Sequence, residues 1–218
     1  RFVERVMGVV EDGGTVLVPA FSVGRSQEIA CILTAYHFKY PVFMDGMACK
    51  VNRIFMNHNA YLRDPRLFME AMHAVNWVEG WKDRRLVTKK PGVIISPAGM
   101  LKGGPAVSHV QRIGKKRYNA IFLVGYQVPG TPGRELLEKG RCVIDGKLRK
   151  VKAQVEHFDF SSHAGASQLQ ETVKGLEGNP RIYVVHGAEG NCPRFAKWIK
   201  ENTGLDAVAP KAGDIYKV

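Results

Sequence analysis

At 218 residues, 45% of them hydrophobic, the chain suits one large or two small domains with an ordinary core. No run approaches the ~18 consecutive apolar residues of a membrane span, and Arg1 to Val10 reads as an amphipathic helix, not a signal peptide. The net charge of +12 favours polyanionic partners over a plain solvated surface, with cations gathered in Lys82-Asp83-Arg84-Arg85, Lys89-Lys90, Lys115-Lys116-Arg117 and Lys147 to Lys152.

The first helical run carries apolar residues at Phe2, Val3, Val6, Met7 and Val10. It opens on Arg1 in mid-pattern, as expected of a piece of a longer protein. Thr15 to Pro19 is a β-branched strand leading through a turn at Gly24 into a helix from about Ser26 to Phe38, with Ile29, Ile32 and Leu33 on one face. Strands are expected at Val42 to Met44, Val93 to Ser96, Ile121 to Val124 and Tyr183 to Val185, the last preceding a helix near Pro193 to Glu201. Residues Val51 to Trp81 read as helical, their aromatic and Met residues being core. From Gly140 to Gln154 the pattern changes to Cys142-Val143-Ile144, an Asp145-Gly146 hairpin turn and alternation from Val151 to Val155. Hydrophobic strands alternating with helices predict an α/β fold with a parallel sheet covered on both faces.

Two apolar runs end on histidines, in Phe160-Ser161-Ser162-His163-Ala164 and Ile182-Tyr183-Val184-Val185-His186-Gly187. An imidazole at a strand end suits a metal or ligand site, but composition alone favours one packed strand-end histidine and one solvent-facing loop histidine, and spacing alone does not decide. The four cysteines, Cys31, Cys49, Cys142 and Cys192, show neither C-x-x-C spacing nor a disulfide framework, so a reducing cytoplasm is expected.

Three loops leave strands directly: Pro19 to Glu28, Ser96 to Pro105 and Gly125 to Arg134. Helix-start amides and Arg25 in the first could hold an anionic group. None matches a phosphate-loop or dinucleotide fingerprint. With the two histidine segments, however, G-G-T-V-L-V-P-A-F-S-V-G-R-S-Q-E, S-P-A-G-M-L-K-G-G-P, G-Y-Q-V-P-G-T-P-G-R, F-S-S-H-A and V-V-H-G stand in an order that resembles the β-CASP branch of the metallo-β-lactamase superfamily. The similarity is greatest to homologues of the nuclease subunit of the cleavage and polyadenylation specificity factor.

The resemblance implies a β-CASP domain over residues 1–159 and, over 160–218, the C-terminal remnant of a metallo-β-lactamase αββα domain. It implies a metal-dependent ribonuclease that holds two zinc ions and hydrolyses single-stranded RNA in a cleft between two domains, in 3′-end processing or decay. His163 matches the histidine that protonates the leaving oxygen, and His186 a zinc ligand whose identity is similar to RNA-cleaving members, where the DNA-acting branch has valine. Ser161 and Ser162 are expected to fix a phosphate oxygen or to cap a helix beginning near Ala166. Arg25, Lys102 and Arg134 are expected to contact RNA, a homodimer is allowed, and no membrane partner is expected.

The departures are specific. The chain contains no H-x-H-x-D-H run, Gly165 stands where the family usually has Asp, and Ala188 where it often has Glu. Asp45 matches a β-CASP loop and not the metal set. The alternatives are a non-catalytic RNA-binding paralogue serving as scaffold and a nucleotide-binding transferase.

Overall fold

The computed structural model describes residues 1–144, 147–160 and 163–216. The expected Asp145-Gly146 turn and the serines Ser161 and Ser162 lie outside the described residues. The chain forms two compact units, 1–161 and 162–218.

In the first unit α1 (Phe2–Glu11) buries Phe2, Val3, Val6, Val9 and Val10, and leads through a turn at Gly13 into β1 (Thr15–Pro19). Then come α2 (Arg25–Ala35), β2 (Val42–Asp45), α3 (Met47–Asn57), α4 (Pro65–Ala74), β3 (Asn76–Val78), α5 (Trp81–Val87) and β4 (Gly92–Ser96). After these follow α6 (Gly104–Ile113), β5 (Ala120–Leu123), α7 (Pro132–Lys139), the strands β6 (Arg141–Ile144) and β7 (Lys147–Lys150), and β8 (Gln154–His157).

Six of these strands form one sheet in the order β3-β2-β4-β1-β5-β8, every pair parallel. Successive side chains point to opposite faces of a strand. Val16, Val18, Val93, Ile95 and Phe122 therefore pack with α1, α2 and α4, while Leu17, Ile94, Ile121 and Leu123 pack with α6 and α7. Burial on both faces explains the near-continuous apolar strands. The first face carries a ring cluster in which Phe2 lies 5.2 Å from Phe158 and 5.3 Å from Phe160, and Phe122 lies 5.1 Å from Phe158.

The second unit comprises α8 (Ala166–Lys174), β9 (Ile182–Tyr183), α9 (Asn191–Thr203) and β10 (Ala207–Val208). Its two short strands pair in parallel, and its core is small: Val173, Ala196, Ile199 and Ala207. No helix among the described residues is long and apolar enough to cross a membrane.

Three expectations change. The supposedly helical stretch Val51 to Trp81 contains two helices, a 3-10 turn (Asn59–Tyr61) and β3. Pro65 at the first turn of α4, with Asp64 accepting from the Leu67 N–H at 3.0 Å, starts a new helix there. Three residues of β3 are too few for period-2 alternation to register, and β3 exists because β2 pairs with it. The alternation at Val151 to Val155 is not the second arm of the hairpin: β7 pairs antiparallel with β6, and β8 joins the large sheet beside β5. The last strand stops at Tyr183, so Val184 and Val185 belong to the turn that carries His186.

Candidate functional site

Ligands of parallel α/β sheets gather beyond the carboxyl ends of the strands. In this sheet the loops after β1, β4 and β5 and the Asp45-Gly46 corner after β2 stand there. These loops are fastened to one another. Ala20 N–H donates to the Ser96 carbonyl at 3.1 Å, and Gly133 N–H to the Met100 carbonyl at 2.9 Å. Gln127 Nε2 donates to the Gly99 and Gly125 carbonyls at 3.1 and 2.9 Å, joining the β4 loop to the β5 loop. A Cβ on Gly133 would lie 1.8 Å from Gln127 Oε1, so glycine is required for this closure.

A second set of ties organises the first loop. Ser26 Oγ donates to the Phe21 carbonyl at 2.7 Å, and Gln27 Nε2 to the Ser22 carbonyl and to Asn52 Oδ1 at 3.0 and 2.6 Å. Below them lies a buried ion pair. Asp45 and His109 are fully buried, with His109 Nε2 2.8 Å from Asp45 Oδ2, and Arg84 Nε donates to the two carboxylate oxygens at 3.1 and 2.8 Å. Burial alone would raise the Asp45 pKa, but the hydrogen bonds from His109 and Arg84 outweigh it and hold the carboxyl below its ordinary range. Asp45 thus joins β2, α5 and α6 as a structural carboxylate.

The residues expected to contact RNA sit on this framework in different states. Arg25 donates to Glu28 and to the Phe160 carbonyl, with its guanidinium 5.7 Å from the Phe160 ring. The backbone N–H groups of Arg25 and Ser26 donate to the Val23 and Phe21 carbonyls at 3.1 Å each, so the expected anion donors at the start of α2 are already engaged. Arg134 pairs with Glu138 at 2.7 Å on α7. Lys102 is exposed in the loop after β4.

In the second unit His163 is exposed three residues before α8, whose N-cap is Gly165. The Gln168 side chain accepts the Gly165 N–H at 2.8 Å. His186 is exposed in a left-handed conformation, φ 61°, beside a groove of about 500 Å³ that Cys192, Arg194, Phe195 and Trp198 also line. A Cβ on Gly187 would approach Cys192 Sγ to 2.6 Å, so the turn after His186 lies hard against the start of α9. A left-handed residue with a Cβ is strained by roughly 1–2 kcal/mol. His186→Gly is therefore expected to be more stable than His186→Ala by about 1 kcal/mol, after allowing for the greater freedom of unfolded glycine. Urea unfolding of the two variants measures it, and equal stabilities would show that the turn is unstrained.

Among the described residues no group of three or more His, Cys, Asp or Glu side chains could hold a metal ion. Burial pushes the Cys31 thiol up to about 11, and also raises Cys49 and Cys142, which disfavours the thiolates that bind zinc. The described residues do not fit a two-zinc centre, and His186 is at most one donor to it.

Residues 26–136 match the Beta-Casp domain, and residues 149–210 match the Zn-dependent metallo-hydrolase RNA specificity domain. The chain belongs to the Beta-Casp family. It is 45% identical over 212 residues to RNase aCSPSF2 of Saccharolobus solfataricus, covering 97% of the Beta-Casp chain and 43% of that relative. It is 33% identical over 222 residues to probable RNase MJ4 of Methanocaldococcus jannaschii, covering all of the chain and 51% of that relative. It is 31% identical over 237 residues to transcription termination factor FttA of the same organism, covering 98% and 37%. The chain thus spans about half or less of the length of these curated relatives.

Sequence reasoning passed over Gln27, Asn52, Gln127 and His109. Both glutamines stand inside the quoted motifs, but nothing in a loop sequence says that an amide will turn inward. His109 lies on the apolar face of α6 between Ala106, Val110 and Ile113, and that position was the available signal.

Proposed function

We propose that this Beta-Casp chain is part of a metal-dependent ribonuclease that hydrolyses phosphodiester bonds of single-stranded RNA. The observation that carries this reading is the succession of a Beta-Casp domain and an RNA specificity domain along this chain, which is similar to two relatives that bear ribonuclease names. Two zinc ions, to which His186 would give one imidazole, would supply a hydroxide nucleophile and neutralise negative charge on the phosphate, although the described residues do not by themselves fit such a centre. This chain's own groups do the rest. His163 gives its proton to the leaving oxygen, the fastened loops after β1, β4 and β5 position the strand, Lys102 holds a phosphate, Arg25 and Arg134 add charge from guanidiniums already paired with Glu28 and Glu138, and Ser161 and Ser162 either orient one phosphate oxygen or cap the helix near Ala166. Four free cysteines support a reducing, cytoplasmic setting.

A second reading, an RNA-holding paralogue without activity, draws support from Gly165 and Ala188 at positions where the family usually carries Asp and often carries Glu, respectively. One pair of measurements separates the two. The full-length protein is expected to retain stoichiometric zinc through dialysis and to cleave a labelled single-stranded RNA, whereas the 218-residue chain is expected to retain little zinc and to cleave nothing. RNA binding with neither zinc nor cleavage in the full-length protein would favour the paralogue.

A further inference from the structure

Because every pair in the six-stranded sheet is parallel, all strand starts share one edge, opposite the fastened loops. Three of the four basic runs in the sequence enter the sheet there. Lys89-Lys90 precedes β4, Lys115 to Arg117 precedes β5, and Lys147 to Lys152 precedes β8. With β1 between them, β4, β1, β5 and β8 are consecutive neighbours, so the runs span about 14 Å at ~4.8 Å per strand.

The backbone staples these runs together. Thr15 Oγ1 donates to the Lys90 carbonyl at 2.9 Å, and Thr15 N–H to Asn119 Oδ1 at 2.9 Å. The Asn119 carbonyl accepts from Gln154 N–H at 2.9 Å, and the Gly114 carbonyl from Lys152 N–H at 2.7 Å. Asn119 is buried and donates to the Ile113 carbonyl at 3.2 Å, so the platform is fixed from beneath.

The side chains on top are differently placed from those of the opposite loops. Lys90, Arg117, Arg149, Lys150 and Lys152 are exposed, and among the described residues none of them enters an ion pair. Arg25 and Arg134 are each neutralised by a glutamate. Glu11 and Asp12 are the acidic residues leading into β1, flanked on both sides by the cationic runs. Tyr118 is 48% exposed, with Lys116 Nζ 5.4 Å from its ring, which adds a stacking face for a base beside the phosphate-attracting cations.

We propose that this N-terminal edge of the sheet is a second RNA-holding surface, which takes the sugar-phosphate backbone of a single strand at the pole of the unit opposite the Gly-rich loops. The proposal rests on the reading that RNA is the substrate, and gives the protein a grip on a stretch of strand remote from those loops. Exposed aromatic stacking favours RNA over an acidic protein segment, which would need no such face.

The test uses the 218-residue chain with a labelled oligouridylate, titrated at several salt concentrations. In the edge variant Lys116, Arg117, Arg149 and Lys150 are replaced by alanine; in the control variant Arg63, Arg66, Lys197 and Lys211 are replaced, with the same loss of charge. Each lost phosphate contact lowers the slope of log K against log salt by about 0.7, so the edge variant should lose up to about 3 while the control stays near wild type. If the edge variant unfolds, R149A/K150A alone should lose about half of that slope. Equal losses in edge and control variants, or no loss in either, would overturn the second surface and leave the ribonuclease reading intact. Displacement of the oligonucleotide by polyglutamate as readily as by unlabelled RNA would overturn the RNA assignment in favour of an acidic protein. Absence of any RNA binding by the wild-type chain would sink this proposal, while zinc-dependent cleavage by the full-length protein would still sustain the ribonuclease.

Discussion

Replacing His163 by alanine in the full-length protein is expected to slow RNA cleavage on the order of 10²–10⁴-fold while the metal content stays at its wild-type value. In free energy that is about 3–5 kcal/mol of lost transition-state stabilisation. An alkoxide leaving a phosphorus needs a proton as the bond breaks, and a positioned imidazole supplies it near neutral pH. His163 suits this role because it is exposed at the approach to α8 and is not built into the core. His186→Ala should fail differently, with metal content and rate falling together, because this imidazole is a candidate ligand held by a strained turn at the end of β9. Zinc analysis with single-turnover rates on the two variants decides the matter. Loss of zinc in His163→Ala with full retention in His186→Ala would show that the two roles are exchanged.

The parallel sheet was legible because strands buried on both faces read as unbroken apolar runs, as in Val93-Ile94-Ile95 and Ile121-Phe122-Leu123. What escaped was structure that only tertiary contact creates. β3 has three residues and depends on β2 for its existence. The strand β8 was visible as alternation but its partner was not, because alternation reports which faces are buried and not which neighbour a strand takes. In the loops the glycines could be found by motif, since a left-handed turn or a close backbone approach demands glycine. Arg25 could be found too, but not its state: sequence does not reveal that Glu28 and the Phe160 carbonyl would hold its guanidinium. The cationic runs were equally plain as composition, and only the common direction of the strands brings them to one edge.

The buried Asp45 carboxylate gives the largest expected effect on stability. Asp45→Ala would leave the fully buried His109 Nε2 without its partner, and would remove the counter-charge of Arg84, whose side chain is 30% exposed. Breaking a buried pair by deleting one member costs about 3–5 kcal/mol, with the Arg84 share reduced because water can screen it. Among the described residues His109 Nδ1 is already buried without a hydrogen-bond partner, so deleting Asp45 would leave a second ring nitrogen in the same state. Asp45→Asn keeps the volume and some hydrogen bonding and should cost less. The dependence on pH follows from the depressed carboxyl pKa. The folded protein holds the Asp45 proton less readily than the unfolded chain, whose carboxyl titrates near ~3.9, so the stabilisation is complete above that value and is lost as pH falls from there through the folded-state value. Urea unfolding of wild type and Asp45→Asn at neutral pH and at a series of acid values should show a wide stability gap that closes on the acid side. A gap unchanged from neutral pH to well below the ordinary carboxylate range would mean that the carboxylate charge contributes nothing, and that Asp45 acts through the acceptor pattern it offers His109 and Arg84.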